Sequence, residues 1–353
     1  MKLFIIGSPW HAAIANAIIK KENIEHPIII AEQTTKQSIE QIKTTIKHQI
    51  KYTFNHEKTR FDSIHKHGVI QSIKRMDEEF SQIEISTNGL PSISKVFYFN
   101  FYSPITRKIL YSVTKKNSGV ALARVEDGIC DYFNFNFINH NRLKLAAKNI
   151  LAMALGKGHL YLRSNKELFQ KTSEYYCFFP EKISKRWKTK KTIPLTDYAN
   201  EITENFLISE KTSDATSLII GQTLFEDGIA SLTEEISIYS MATKTLPSPV
   251  VIKLHPRSSK EKVEAISKEG IKIIETSLSA ESLICSGNYK TVVGMWSNTI
   301  IYSSCLFGVD SFTLTHQLLE TTQRNNPHLA KIHKTLCTKF TTQYKDYRKA
   351  QVM

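Results

Sequence analysis

Short apolar runs, rich in β-branched residues, recur along this chain, and most are followed by a stretch with helical spacing. The first half carries KLFIIG, HPIIIA, KVFYFNFY (Lys95–Tyr102), GVALARV and YYCFF (Tyr175–Phe179). The second half carries SLIIGQ, SPVVIKL, IKIIE, KTVVGM and SFTL. Most of these runs are continuously apolar, as expected of parallel strands covered on both faces. The spacing predicts helices from about Trp10 to Lys21, after Pro104 as far as Asn117-Ser118-Gly119, and from about Asn141 to Leu155 before Gly156-Lys157-Gly158. In the second half it predicts helices over Thr233–Lys244, Ser259–Glu269, Ala280–Gly287 and Asn298–Phe307. Strand–helix alternation of this kind gives an α/β class with doubly wound domains. At roughly 100–200 residues per domain, 353 residues suggest two. The expected division is an α/β domain over 1–200, a second α/β domain over 201–325, and a helical segment over 326–353 that returns to the first domain.

Two stretches fit this rhythm poorly. Thr34–Phe80 is polar and reads as mostly helical, with a break around Tyr52–Asn55. Lys182–Phe206 has little apolar periodicity and reads as the inter-domain segment. It includes the basic run Lys185–Lys191, which reads as a solvated linker or as a polyanion-binding patch.

Charge narrows the partners. There are 47 basic and 33 acidic side chains, a net charge of +14. Such an excess favours nucleic acid, an acidic glycan or an anionic membrane surface. The five cysteines are scattered and form no C-x-x-C, which argues against a disulfide framework or a zinc site and for a reducing compartment. The apolar start breaks at Gly7-Ser8-Pro9, so it reads as a strand and helix, not a signal peptide. No apolar run reaches the ~18 residues of a membrane span, and the expectation is a soluble or peripheral protein. G-x-G-x-x-G, P-loop, G-x-S-x-G and H-E-x-x-H patterns are all missing, which lowers the standing of dehydrogenase, ATPase, serine hydrolase and zinc peptidase. His65-Lys66-His67 has no acidic or cysteine companion and reads as a solvated face.

Ligands of open parallel sheets bind beyond the carboxyl ends of the strands. There the chain places Glu126-Asp127-Gly128 after GVALARV, Gln222-Thr223 after SLIIG, His255-Pro256-Arg257 after VVIKL, and Trp296-Ser297-Asn298-Thr299 after TVVGM. Each cluster has an ordinary structural reading as a turn or a helix cap. Their joint placement at ligand ends favours a site. A second acid–acid–glycine, Glu226–Gly228, is a weaker candidate, and His26-Pro27 precedes its strand and reads as structural.

In this order, RVEDGICDY, VIKLHPR and GMWSNTIIYS resemble the motif set of bacterial sialyltransferases with the GT-B fold, most closely the capsular α-2,8-polysialyltransferase family. The resemblance covers most of the second domain and the Glu126 region, and is weak before about Lys95. It implies two Rossmann-like doubly wound domains facing a central cleft. It implies that Glu126, the first acid of the motif, is the general base, with Asp127 beside it, and that His255 contacts the nucleotide phosphate and assists the leaving group. It further implies that Ser297 and Thr299 bind that phosphate, with Asn298 between them, that Glu281 takes the ribose hydroxyls, and that Gln222, Thr223, Pro256 and Arg257 line the donor site. Asn298 stands where many relatives have serine, and Trp296 replaces a small residue.

The implied donor is CMP-sialic acid. The implied acceptor is a sialylated or galactose-terminated capsule or lipooligosaccharide terminus. The reaction would be inverting and metal-independent, with no cofactor and no nucleic acid partner. Lys185, Arg186 and Lys188 are expected to hold an anionic acceptor, or to dock a cytoplasmic enzyme on the inner membrane. The residues also allow another nucleotide-sugar transferase of this fold, of Kdo or teichoic-acid type, or a non-catalytic polyanion-binding protein.

Overall fold

The computed structural model describes residues 1–33, 36–55, 69–100, 103–132, 150, 165–184, 187–207, 214–318, 340 and 345–346. The chain clusters into two compact units, Met1–Asn205 and Phe206–Met353.

The first unit runs β1 (Lys2–Ile6), α1 (Pro9–Lys21), β2 (Pro27–Gln33), α2 (Lys36–Thr45), β3 (Ile50–Asn55), α3 (Val69–Asn88), β4 (Lys95–Tyr98), α4 (Pro104–Lys116), β5 (Ala121–Val125), α5 (Asn165–Lys171), β6 (Thr172–Cys177), β7 (Lys191–Pro194) and α6 (Ala199–Thr203). Its strands pair in parallel in the order β3-β2-β1-β4-β5-β6-β7. The chain winds outward from β1 to β3, then returns to the other side of β1 with β4. The gap between the carboxyl ends of β1 and β4 is therefore the topological switch point, where such sheets bind ligands.

Local chemistry fixes the helices that flank this point. Ser8 and Ser103 cap α1 and α4, each accepting from the backbone N–H three residues on, and Pro9 and Pro104 occupy the first turns. The strands are apolar because both faces are covered: Leu3, Phe4, Ile6, Val96 and Phe97 are fully buried, and Phe4 stacks on Phe97 at 4.4 Å.

Two edge strands escape the sequence reading for the same reason. The break at Tyr52–Asn55 is an edge strand, β3, of which only Phe54 is buried, so its apolar signal is weak. The supposed linker supplies the opposite edge strand, β7, with Pro194 where the ladder can do without a donor. Trp187 in that segment is buried, stacks on Tyr175 at 4.7 Å and packs edge-on against Phe169. The segment is thus part of the first unit. The expected helix over 141–155, apart from Ile150, and the His65–His67 run lie outside the described residues.

The second unit runs β8 (Ser217–Ile220), α7 (Leu232–Thr245), β9 (Val250–Lys253), α8 (Lys260–Lys268), α9 (Ala280–Ser286), β10 (Thr291–Gly294), α10 (Asn298–Leu306), β11 (Asp310–Thr313) and β12 (Lys345–Asp346). Its parallel sheet has the order β12-β11-β10-β8-β9, which puts the switch point between β8 and β10. Ser231, Ser259, Ser279 and Ser297 cap α7 to α10. The run IKIIE forms no strand. Ile273 makes a single bridge to Ile252, held by hydrogen bonds from Ile252 N to Lys272 O and from Ile274 N to Ile252 O. Most of 326–353, expected to be helical, lies outside the described residues, and its described pair Lys345–Asp346 is a strand.

Candidate active site

In the second unit, Gly294 pairs with Ile220 and Ile220 with Lys253. Residues two positions further on, Trp296, Gln222 and His255, therefore emerge together at the carboxyl edge. His255 Nδ1 accepts from the Arg257 backbone N–H at 3.1 Å. This leaves the ring proton on Nε2 as a donor. Burial, and then Arg257, lower the His255 pKa, so the imidazole is neutral near pH 7.

At the start of α10, Ser297 Oγ accepts from Thr299 N, and the Thr299 hydroxyl donates to Glu281 Oε1 at 2.9 Å. Lys253, its pKa lowered by burial against the opposing pull of Glu281, completes this polar edge. A helix N-terminus with hydroxyls and a neutral N–H donor beside it suits a phosphate.

Gln222 and Thr223 are positioned from below. Gln222 N donates to Tyr239 Oη, and Lys262 Nζ donates to Gln222 O at 2.8 Å. Arg257 is exposed and donates to Thr223 Oγ1 at 3.1 Å and to both Asp227 oxygens. Pro256 is exposed beside it.

In the first unit, the paired acids after β5 have opposite surroundings. Glu126 is fully buried, and its Oε2 accepts from the Tyr132 hydroxyl and from Phe178 N at 2.8 Å. Asp127 has a side chain 35% exposed, with Oδ1 2.5 Å from His11 Nε2. Below this loop Arg124 is buried, donating to both Asp131 carboxylate oxygens and to Phe99 O. Glu32, near the carboxyl end of β2, is also buried. Its Oε1 accepts from the Thr106 hydroxyl, while Oε2 has no partner among the described residues. Burial, opposed by the Thr106 and Ser103 hydroxyls, pushes its pKa up to about 7.

A model of the alpha-2,8-polysialyltransferase family matches residues 2–316, most of the chain. The chain belongs to the alpha-2,8-polysialyltransferase family. It is accordingly a glycosyltransferase that transfers sialic acid. Among solved structures it is similar to an alpha/beta-galactoside alpha-2,3-sialyltransferase from the luminous marine bacterium Photobacterium phosphoreum, with 14% identity over 99% of this chain and 98% of that one and a TM-score of 0.50. It is also similar to MnaA of S. aureus in a co-structure with UDP, with 11% identity, 96% and 88% coverage and a TM-score of 0.56. The UDP-GlcNAc 2-epimerase from Methanocaldococcus jannaschii shows 13% identity, 96% and 100% coverage and a TM-score of 0.51. These likenesses show a shared fold with two Rossmann-like domains. No curated protein sequence matches the chain.

Within this polysialyltransferase-family chain, the second acid–acid–glycine is scaffold. Glu226 accepts from Ser259 N at 2.7 Å and from Lys262 Nζ at 2.5 Å, and buried Lys262 also lies 2.8 Å from buried Glu235. The Thr223 hydroxyl and Arg257 hold the Asp227 carboxyl below its ordinary range despite partial burial. Lys188 is exposed next to Trp187, while Lys185 and Arg186 lie outside the described residues. No helix among the described residues is long and apolar enough to cross a membrane. His11 and Glu32 were not expected at the site. His11 comes just after β1 and Glu32 lies at the carboxyl end of β2. A polar side chain at the end of a buried strand is the same signal that marks β5, β8, β9 and β10, and it is present in the sequence at Glu32, whereas His11 lies inside α1 and carries no such signal.

Proposed function

We propose that the protein is an inverting sialyltransferase that uses CMP-sialic acid and a bacterial cell-surface glycan with a sialylated or galactose terminus. The observation that carries this reading is the convergence of His255, Gln222 and the capped start of α10 at one sheet edge in a chain of this family. The donor phosphate is assigned to that edge and the base to the first unit. The base is Asp127 and not Glu126, because Asp127 is the acid of the pair with an exposed carboxylate. Glu126 holds Tyr132 and the Phe178 backbone and has no surface to offer an acceptor.

Asp127 takes the proton of the acceptor hydroxyl as its oxygen bonds to the anomeric carbon of sialic acid. The bond from that carbon to the phosphate oxygen breaks, and CMP leaves with the electron pair. The oxocarbenium-like transition state places growing negative charge on the leaving phosphate. His255 Nε2–H, the start of α10 and the Ser297 hydroxyl meet that charge, while Glu281 holds the Thr299 hydroxyl beside them. A single displacement by the acceptor hydroxyl, with no covalent sugar–enzyme intermediate, gives inversion. The net charge of +14 supports a polyanionic acceptor.

His255→Ala removes a donor to a charged phosphate, an interaction of about 1.5–3 kcal/mol. CMP affinity by calorimetry should fall by about ten- to a hundredfold, with kcat falling as well. Unaltered CMP binding and turnover would remove His255 from the site. Activity should also survive EDTA, because this chain's own donors face the phosphate. Loss of activity with EDTA and its recovery with Mg²⁺ or Mn²⁺ would show that a cation shares the task.

A further inference from the structure

His11 sits in the first turns of α1, directly after β1 at the switch point, and is 5% exposed. The next residues, Ala12–Ala15, are buried and apolar, so a polar ring among them must find hydrogen bonds inside the fold. It finds two. Nδ1 accepts from Gly7 N at 3.0 Å, which fixes the proton on Nε2, and Nε2 donates it to Asp127 Oδ1 across an N–O distance of 2.5 Å. The ring is stacked on Phe99 at 4.4 Å with an 18° tilt, so its plane is fixed as well. With both nitrogens engaged, His11 has no site left to take a proton from a substrate. The inner partner is buried and the outer one reaches solvent, with side-chain exposures of 6% and 35%.

We propose that His11 is a positioning residue for the base: it holds Asp127 by one oxygen and leaves the other for the acceptor hydroxyl. This inference rests on the assignment of Asp127 as the base. A short carboxylate on a loop after a strand has rotamer freedom that a base cannot use, because proton abstraction needs hydrogen-bond reach and correct alignment. A fixed N–H donor, held by a backbone amide on its far side and an aromatic face beside it, removes that freedom.

A double-mutant cycle tests this. His11→Ala, Asp127→Asn and the double variant are assayed with CMP-sialic acid and a sialylated acceptor. CMP affinity is measured by calorimetry. His11→Ala should lower kcat by about 10²-fold, the scale of a misplaced catalytic group, with CMP affinity unchanged. In the Asp127→Asn background the same change should cost less than about twofold, because a residue acting through Asp127 has nothing left to act on. His11→Gln, which can still direct an amide N–H at Asp127, should recover part of the loss and serves as the test variant if His11→Ala does not fold. An undiminished Asp127→Asn enzyme would overturn the base assignment itself. An inactive Asp127→Asn with a silent His11→Ala, or with losses that multiply in the double variant, would leave the base in place and overturn the positioning role.

Discussion

Asp127→Asn should lower kcat by about 10²- to 10⁴-fold, the usual contribution of a general base, while CMP still binds with parental affinity. The substitution keeps the shape of the side chain, and an amide oxygen can still accept from His11 Nε2. What it loses is the capacity to hold the acceptor proton. Glu126→Gln should behave differently. Glu126 is enclosed, and its carboxylate ties the Tyr132 hydroxyl and the Phe178 amide to the end of β5. The amide weakens these bonds, so stability should fall and the remaining folded enzyme should turn over within about tenfold of the parent. The reverse outcome, a crippled Glu126→Gln of parental stability with a near-active Asp127→Asn, would return the base to Glu126.

The second large effect concerns the floor beneath this loop. Arg124 is 2% exposed and Asp131 is 6% exposed. The guanidinium donates to Asp131 Oδ1 at 2.7 Å, to Oδ2 at 2.8 Å and to Phe99 O at 2.8 Å, with Trp187 over its face at 5.3 Å. Removing one partner leaves the other charge buried without its counter-ion, at a cost of about 3–5 kcal/mol. Asp131→Ala should therefore lower the unfolding free energy by that amount in a urea titration. Replacing both charges with apolar side chains, as in Arg124→Met with Asp131→Leu, should recover most of it. A single-variant loss below about 1 kcal/mol would mean that the pair behaves as a surface ion pair. Phe99, which accepts from Arg124, is also the ring on which His11 stacks, so the pair braces the same corner as the site.

The central strands were legible because burial on both faces leaves an unbroken apolar run: KLFII, SLII and TVVG read directly as strands. The edges were not. β3 and β7 are half-exposed, carry polar residues on the open side and lack the signal that burial imposes. IKIIE shows the converse, an apolar run whose ladder contact stops at one bridge. At the site, strand ends followed by polar clusters pointed to the Glu126-Asp127 pair, Gln222, His255 and Ser297, and the resemblance named Glu126 as the base. The choice between the two acids depends on a hydroxyl six residues further on and an amide more than fifty residues away, which sequence spacing does not encode. Likewise, the Glu226 motif matches the Glu126 motif letter for letter, yet Lys262, on another helix, makes it scaffold.

Transfer from CMP-sialic acid is tested most directly by a donor competition with the intact enzyme. Radiolabelled CMP-sialic acid, CMP-Kdo and UDP-sugars are each supplied with sialylated and lactose-type acceptors, alongside His255→Ala and Asp127→Asn. The expected result is label in the acceptor and CMP release from CMP-sialic acid, with loss of transfer in both variants. Label transferred from CMP-Kdo or a UDP-sugar while CMP-sialic acid stays inert would contradict it.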